Sequence, residues 1–228
     1  MTKGELFVIS VGGSLINPGQ VDTVFLKDFR RMILGQIKKG RRFILITGGG
    51  KLCRDYQNAL KKISNPTSKD LDWMGIATTW MNADLVRLML GRITHPAIIK
   101  DPNIKVNFKE KVLIAGGWMP GRSTDDDAVR LAKAYGSTTI INLSNIDYVY
   151  DKDPKKFKNA KKILSVSWKD FRVIVGNKWD PGKNAPFDPT AAKTAQKNGM
   201  RVIIANGKNL KNLENILNGK SFVGTTIF

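Results

Sequence analysis

Apolar residues fall in two alternating kinds of run along this chain. Short, β-branched and nearly continuous runs stand at 5–11 (ELFVISV), 42–47 (RFILIT), 111–115 (KVLIA), 138–143 (TTIINL) and 201–206 (RVIIAN). Runs of this length, closed by glycines or polar turns, predict buried strands. AIIK at 97–100 and FVGTTI at 222–227 predict two more. Between them apolar residues recur at helical spacing over 24–39, 52–63, 73–91, 124–136, 168–176, 189–199 and 211–219, several of these stretches stopping at a glycine. SNPTSKD (64–70), the stretch 144–157 and NKWDPGKNAPFD (177–188) read as loops. No internal repeat or low-complexity tract interrupts the order.

Strands alternating with helices predict an α/β fold around a mainly parallel sheet. In open sheets of that kind the ligand lies beyond the carboxyl ends of the strands. Glycine clusters fall there: Gly12–Gly13 after the first strand, Gly48–Gly50 after the second and Gly116–Gly117 after a later one. Glycine lets backbone N–H groups crowd against a ligand, and phosphate is the usual one. One such loop is weak evidence, because a tight strand-to-helix turn has the same composition. Three on one sheet edge can converge on a single polyanion.

The standard phosphate motifs do not fit. A P-loop needs a glycine where Leu45 stands and Ser or Thr where Leu52 stands, and Cys53 occupies the last glycine of a dinucleotide fingerprint. The single histidine, His95, precedes Pro96 and has no partners for a triad or a zinc site. What remains is phosphoryl transfer by positioning and charge neutralisation, which asks the protein for N–H donors, a few cations and orienting carboxylates.

Composition adds one anomaly. The 228 residues are ordinary in apolar and charged fraction, but the formal charge is +19, so the partner or substrate is expected to be anionic. The lysines are spread among helices and turns, which reads as a solvated basic surface in preference to a dedicated nucleic-acid patch. No apolar run reaches the length of about 20 residues that spans a bilayer. The N-terminal MTKGELFVISVGG lacks a signal peptide's apolar stretch, and the one cysteine cannot pair internally. A cytoplasmic protein with no membrane partner is expected.

VGGSL, TGGGKLCRDY, DWMGIATTWMNADLVRL, GGWMPGRSTDDDAV, LSNIDYVYDKDP and DPTAAKTA occur in that order. In this they resemble the amino acid kinase superfamily, and within it the archaeal-type uridylate kinases, over nearly the whole chain. The most specific elements are the pattern at 72–79 and the Asn-x-Asp-x-Val-Tyr-x-x-Asp-Pro run at 145–154. The resemblance implies one domain over 1–228 with the three-layer αβα sandwich and mainly parallel central sheet of the carbamate kinase-like fold. The part to about residue 123 would face the acceptor and the part from about 124 the ATP. It further implies a homo-oligomer, a hexamer, and direct transfer from ATP, carried with Mg²⁺, to UMP.

By the same resemblance Gly12, Gly13 and Ser14 lie on the ATP phosphates, and Gly50 and Arg54 near the phosphates being exchanged. Ser144, Tyr150 and Asp153 match ATP-contacting positions, and Gly49 and Asp72 match positions on UMP, with Asp72 on the ribose hydroxyls. Trp118, Met119, Pro120, Gly121, Arg122, Ser123 and Thr124 match the segment around the uracil and the acceptor phosphate. Plainer roles compete: Asp72 as the N-cap of the long helix, Thr124 as a cap, Tyr150 as packing, Arg54 as surface.

Many superfamily members carry a lysine where this chain has Ser10. Archaeal-type uridylate kinases also lack it, so another cation must act, and Lys51 with Arg54 is the expected catalytic pair. The carboxylates of Asp125–Asp127 are favoured by the helix dipole, with magnesium coordination by Asp125 or Asp126 as the alternative. The loop 177–188 is expected to border the ATP site, with Trp179 or Phe187 over the base and Asp188 as a helix cap. Two other functions stay open: a different small-molecule kinase of the superfamily, or a non-catalytic nucleotide- or nucleic-acid-binding regulator. Acetylglutamate kinase would need the lysine that Ser10 replaces, and isopentenyl phosphate kinase a histidine in the KLCRDY stretch.

Overall fold

The structure, a computed structural model, describes residues 5–154, 156–176 and 185–228. Its centre is a seven-stranded sheet of β1 (Leu6–Val11), β2 (Arg42–Thr47), β3 (Val112–Ala115), β4 (Thr139–Ser144), β7 (Ser165–Val166), β8 (Arg201–Asn206) and β9 (Thr225–Ile227). The order is β3-β2-β1-β4-β8-β9-β7, parallel at every pairing except β8 with β9. A separate antiparallel pair joins β5 (Val149–Tyr150) and β6 (Lys162–Ile163).

The central strands are apolar at most consecutive positions because both faces are covered. Val8, Ile44, Ile46 and Leu113 point to one core, shared with α5 (Thr124–Tyr135), α6 (Trp168–Val175) and α7 (Pro189–Lys197). Ile9, Phe43, Leu45 and Ile114 point to the other, shared with α2 (Thr23–Lys38), α4 (Ser68–Leu90) and α8 (Leu210–Leu217). The result is the expected αβα sandwich. The short α1 (Gly13–Ile16) follows β1, and α3 (Gly50–Ile63) has no buried residue and packs outside α4.

Four readings of local structure change. The long helix begins inside the predicted loop 64–70, because Thr67 and Asp70 form a reciprocal capping box. AIIK supplies a single parallel bridge, Ile99 to Ala115, at the sheet edge. The turn-rich stretch holds β5, and β6 and β7 follow from runs too short to show a period. Phe187 is wholly buried against Trp168 in the core and so cannot cover a base, while Trp179 lies outside the described residues.

The chain runs outward from β1 to β2 to β3, then returns to the other side of β1 with β4 and β8. The switch point therefore lies between β1 and β4, where Ser10 stands beside Asn142. Loops diverging on either side of such a point leave a crevice above the strand ends.

Candidate active site

All three glycine loops open at that edge. Gly12 donates its N–H to Leu143 O at 2.9 Å, Gly48 to Val11 O at 3.0 Å and Lys51 to Asn17 O at 2.9 Å. The first two loops lie against each other. A Cβ on Gly13 would stand 2.0 Å from Gly50 N, and one on Gly50, whose φ is +71°, would stand 2.3 Å from Gly13 O. Part of the glycine demand is thus backbone against backbone, before any ligand is considered. With Gly49 as N-cap, no side chain covers the start of α3, although the Lys51 N–H is taken by Asn17 O and the Cys53 N–H by Gly49 O. A helix start without a capping side chain is a place where an anion can bind.

The cations stand beside it. Arg54 is exposed on α3 and makes no ion pair among the described residues. Lys51 is held by Asp55 one helical turn on, with Nζ 2.6 Å from Oδ1, both side chains being half exposed. Ser10 is buried, between Ile46 and Asn142 in the register, and brings no charge.

Asp72 is not a cap, because α4 starts at Ser68 behind the Thr67 N-cap. Its Oδ2 accepts the Gly121 N–H at 2.8 Å, which clasps the third loop to α4. That loop is also held where Thr79 Oγ1 accepts the Gly117 N–H at 2.7 Å and Trp80 Nε1 donates to Gly117 O at 2.8 Å. Between clasp and helix lies an open cleft of about 680 Å³ lined by Lys69, Asp72, Trp73, Trp118, Met119, Pro120 and Gly121. Ser123, and not Thr124, caps α5, accepting the Asp126 N–H at 3.3 Å. Arg122 points to Asp126 at 3.7 Å.

In the first turn of α5 Asp126 and Asp127 are buried, not solvated, and Asp125 is partly buried. Asp126 pairs with Arg130 at 2.8 Å. Asp125 accepts from Asn142 at 3.1 Å and from the Asp188 N–H at 3.0 Å, while Asp188 caps α7 as expected, through Ala191 N at 2.7 Å. Burial pushes the Asp125 carboxyl up to about 7 despite the Asp188 N–H, and pushes Asp127 up to about 8, helped by the Asp126 charge. Neither oxygen of Asp127 completes a hydrogen bond of ordinary geometry, although the Trp118 N–H faces it. Among the described residues no group of three or more His, Cys, Asp or Glu is arranged to hold a metal ion.

On the far side of the switch point Ser144 ends β4 and its carbonyl accepts the Gly207 N–H at 2.9 Å. Tyr150 sits in β5, and the Asp153 carbonyl closes the turn that follows, accepting from Lys156 and Phe157. Ser144 thus ends a strand beside the β1 glycine loop, while Tyr150 belongs to the separate β5–β6 pair and Asp72 to α4. Sequence reasoning missed Asn82, whose Nδ2 donates to Gly48 O at 2.7 Å and braces the second loop from α4. The available signal was an asparagine on the inward face of an otherwise apolar helix.

Fold and site together define the class: an α/β protein with a mainly parallel sheet whose first two glycine loops pack against each other beside the switch point. The chain belongs to the amino acid kinase family, whose model matches residues 5–206. It is 34% identical over 227 residues to the uridylate kinase of Thermoplasma volcanium, covering 98% of this chain and 97% of that one. It is 31% identical over 224 residues to the uridylate kinase of Pyrococcus abyssi, covering 96% and 98% of the two. The crystal structure of the uridylate kinase from Archaeoglobus fulgidus superposes with a TM-score of 0.83 at 26% identity, covering 98% of this chain and all of that one.

Proposed function

We propose that this chain is a UMP kinase, a phosphotransferase catalysing ATP + UMP → ADP + UDP in pyrimidine nucleotide synthesis. The observation that carries the reading is the juxtaposition of an anion-binding crevice at the β1/β4 switch point with the cleft closed by Asp72 and Gly121. The near full-length similarity to uridylate kinases supports the same assignment. Nothing in the structure favours the regulator reading or another acceptor.

In this reading the acceptor lies on the side contributed by residues to about 123, and ATP on the side contributed from about 124. Asp72 accepts from the ribose hydroxyls and Trp118 to Thr124 enclose the base and the acceptor phosphate. Gly12, Gly13 and Ser14 take the ATP phosphates, Ser144, Tyr150 and Asp153 the adenosine side, and Gly49 and Gly50 the meeting point. A phosphate oxygen of UMP attacks the γ-phosphorus as the bond to the β,γ-bridging oxygen breaks, so ADP leaves with that oxygen and no phosphoenzyme forms. Mg²⁺ enters with ATP as part of the substrate and neutralises phosphate charge.

Lys51 and Arg54 supply the remaining cationic charge in place of the lysine absent at position 10. The Lys51–Asp55 pair is solvent-screened and so costs little to exchange for a phosphate. A homo-oligomer, a hexamer, and a cytoplasmic location complete the reading. Among the described residues no helix is long and apolar enough to cross a membrane.

The test is ADP release from MgATP with UMP, CMP, AMP, acetylglutamate and isopentenyl phosphate offered separately. Turnover with UMP well above the others is expected. Turnover with none of them would end the kinase reading and redirect attention to salt-dependent nucleic-acid binding.

A further inference from the structure

Trp118 lines the acceptor cleft, and its backbone neighbours are pinned to α4 through Gly117 and Gly121. None of those clasps orients the indole itself. The Arg130 guanidinium does lie over it, 4.9 Å from the ring centroid. That guanidinium is fixed from two other directions. Its Nε donates to Asp126 Oδ2 at 2.8 Å, one turn back on α5, and its Nη1 donates to Asn103 Oδ1 at 3.2 Å from the loop before β3.

We propose that Arg130 is a positioning residue for the acceptor site, holding the Trp118 ring at the cleft wall and leaving Arg122 for the acceptor phosphate. The proposal rests on the UMP kinase reading for the identity of the acceptor, though not for the hold on Trp118. A planar guanidinium stacks on an aromatic face while its edge donates hydrogen bonds, and lysine cannot do both. Asp126 is 1% exposed, with Oδ1 unpartnered. A carboxylate so buried draws in whatever cation is near. With Arg130 at 2.8 Å, Arg122 stays at 3.7 Å from the same oxygen. Without Arg130, Asp126 would pull Arg122 down onto itself and away from the cleft. One residue thus acts on both the base and the phosphate ends of the acceptor site.

The experiment compares the wild-type chain with Arg130→Met and Arg130→Lys. It measures KM for UMP and for MgATP, and acrylamide quenching of Trp118, read as the difference between each chain and its own Trp118→Phe version. Arg130→Met is expected to raise the UMP KM about tenfold, leave the ATP KM within about twofold and expose Trp118 to quencher. Arg130→Lys, which keeps the Asp126 pair without the flat stack, is expected to fall between. Unchanged Trp118 quenching in Arg130→Met would overturn the proposal, as would a UMP KM that stays put or one that rises only together with the ATP KM. Wild-type values in Arg130→Lys would remove stacking as the means. If the wild type does not phosphorylate UMP, the functional reading fails by itself, and the quenching still decides whether Arg130 holds Trp118.

Discussion

Gly121 donates its backbone N–H to the Asp72 carboxylate at 2.8 Å, joining positions 49 residues apart. The bond ties the loop after β3 to the first turns of α4 and forms one wall of the cleft. Asp72 therefore has structural work in the ligand-free protein, and under the proposed function its other oxygen would meet a substrate hydroxyl. Asp72→Ala should raise the acceptor KM by about 10–100-fold with little change in the donor KM, the loss of a charge-assisted bond and its clasp. Asp72→Asn keeps a carbonyl acceptor and should lose less. Steady-state kinetics with each substrate varied will decide, and equal effects on the two KM values would reject the assignment.

Arg54 carries a sharper prediction. It is exposed and unpaired among the described residues, so Arg54→Ala should leave the thermal midpoint within a degree or two, as surface substitutions do. Turnover should fall by a factor on the order of 10² or more if the guanidinium neutralises the transferring phosphoryl group. Wild-type turnover in that variant would remove Arg54 from the catalytic pair.

Two glycines with similar backbone angles should respond differently to alanine. Gly50 has φ +71° and a Cβ there would meet Gly13 O at 2.3 Å, whereas Gly121 has φ +77° and open space around it. Gly121→Ala should cost about 1–2 kcal/mol of left-handed strain, while Gly50→Ala adds a backbone collision and should cost about 3 kcal/mol or more, or prevent folding. Urea unfolding of both variants measures the difference. Equal losses would mean that the two loops can separate freely.

Asp127 has a pH consequence. Burial raises its folded pKa to about 8 from the ordinary 3.8, so between those values the folded state holds a proton that the unfolded chain releases. Stability contributed at low pH is therefore lost as pH rises from about 4 and is fully lost above about 8. Asp125, raised to about 7, acts in the same sense. Asp127→Asn should stabilise the protein at pH 8 by on the order of 1–3 kcal/mol relative to wild type and much less at pH 4–5. Thermal unfolding at both pH values checks the sign. Destabilisation at pH 8 would mean that the carboxylate holds the Trp118 N–H.

The layered fold was largely legible. Runs such as RFILIT and RVIIAN are apolar at consecutive positions because both sheet faces are covered, and that pattern together with the alternating helical periods admits few architectures. The glycine clusters were legible too, since their places after strands follow from chain order alone. The start of α4 was not, because the Thr67–Asp70 capping box sits among Ser, Asn, Pro and Lys residues that read equally well as loop. The β5–β6 pair is two residues on each strand, too short for a period to appear.

Residue identities along the chain therefore determined the fold class and the sheet edge at which the glycine loops gather, because periodicity and glycine placement are local properties. Only the tertiary structure decided what each side chain meets. It placed Phe187 in the core, spent much of the Gly13 and Gly50 requirement on contact between two backbones, and bent Lys51 toward Asp55. It also set Asp72 against Gly121, and Arg130 against Trp118. Those pairings depend on distances between elements remote in sequence, which packing sets and which no local pattern records.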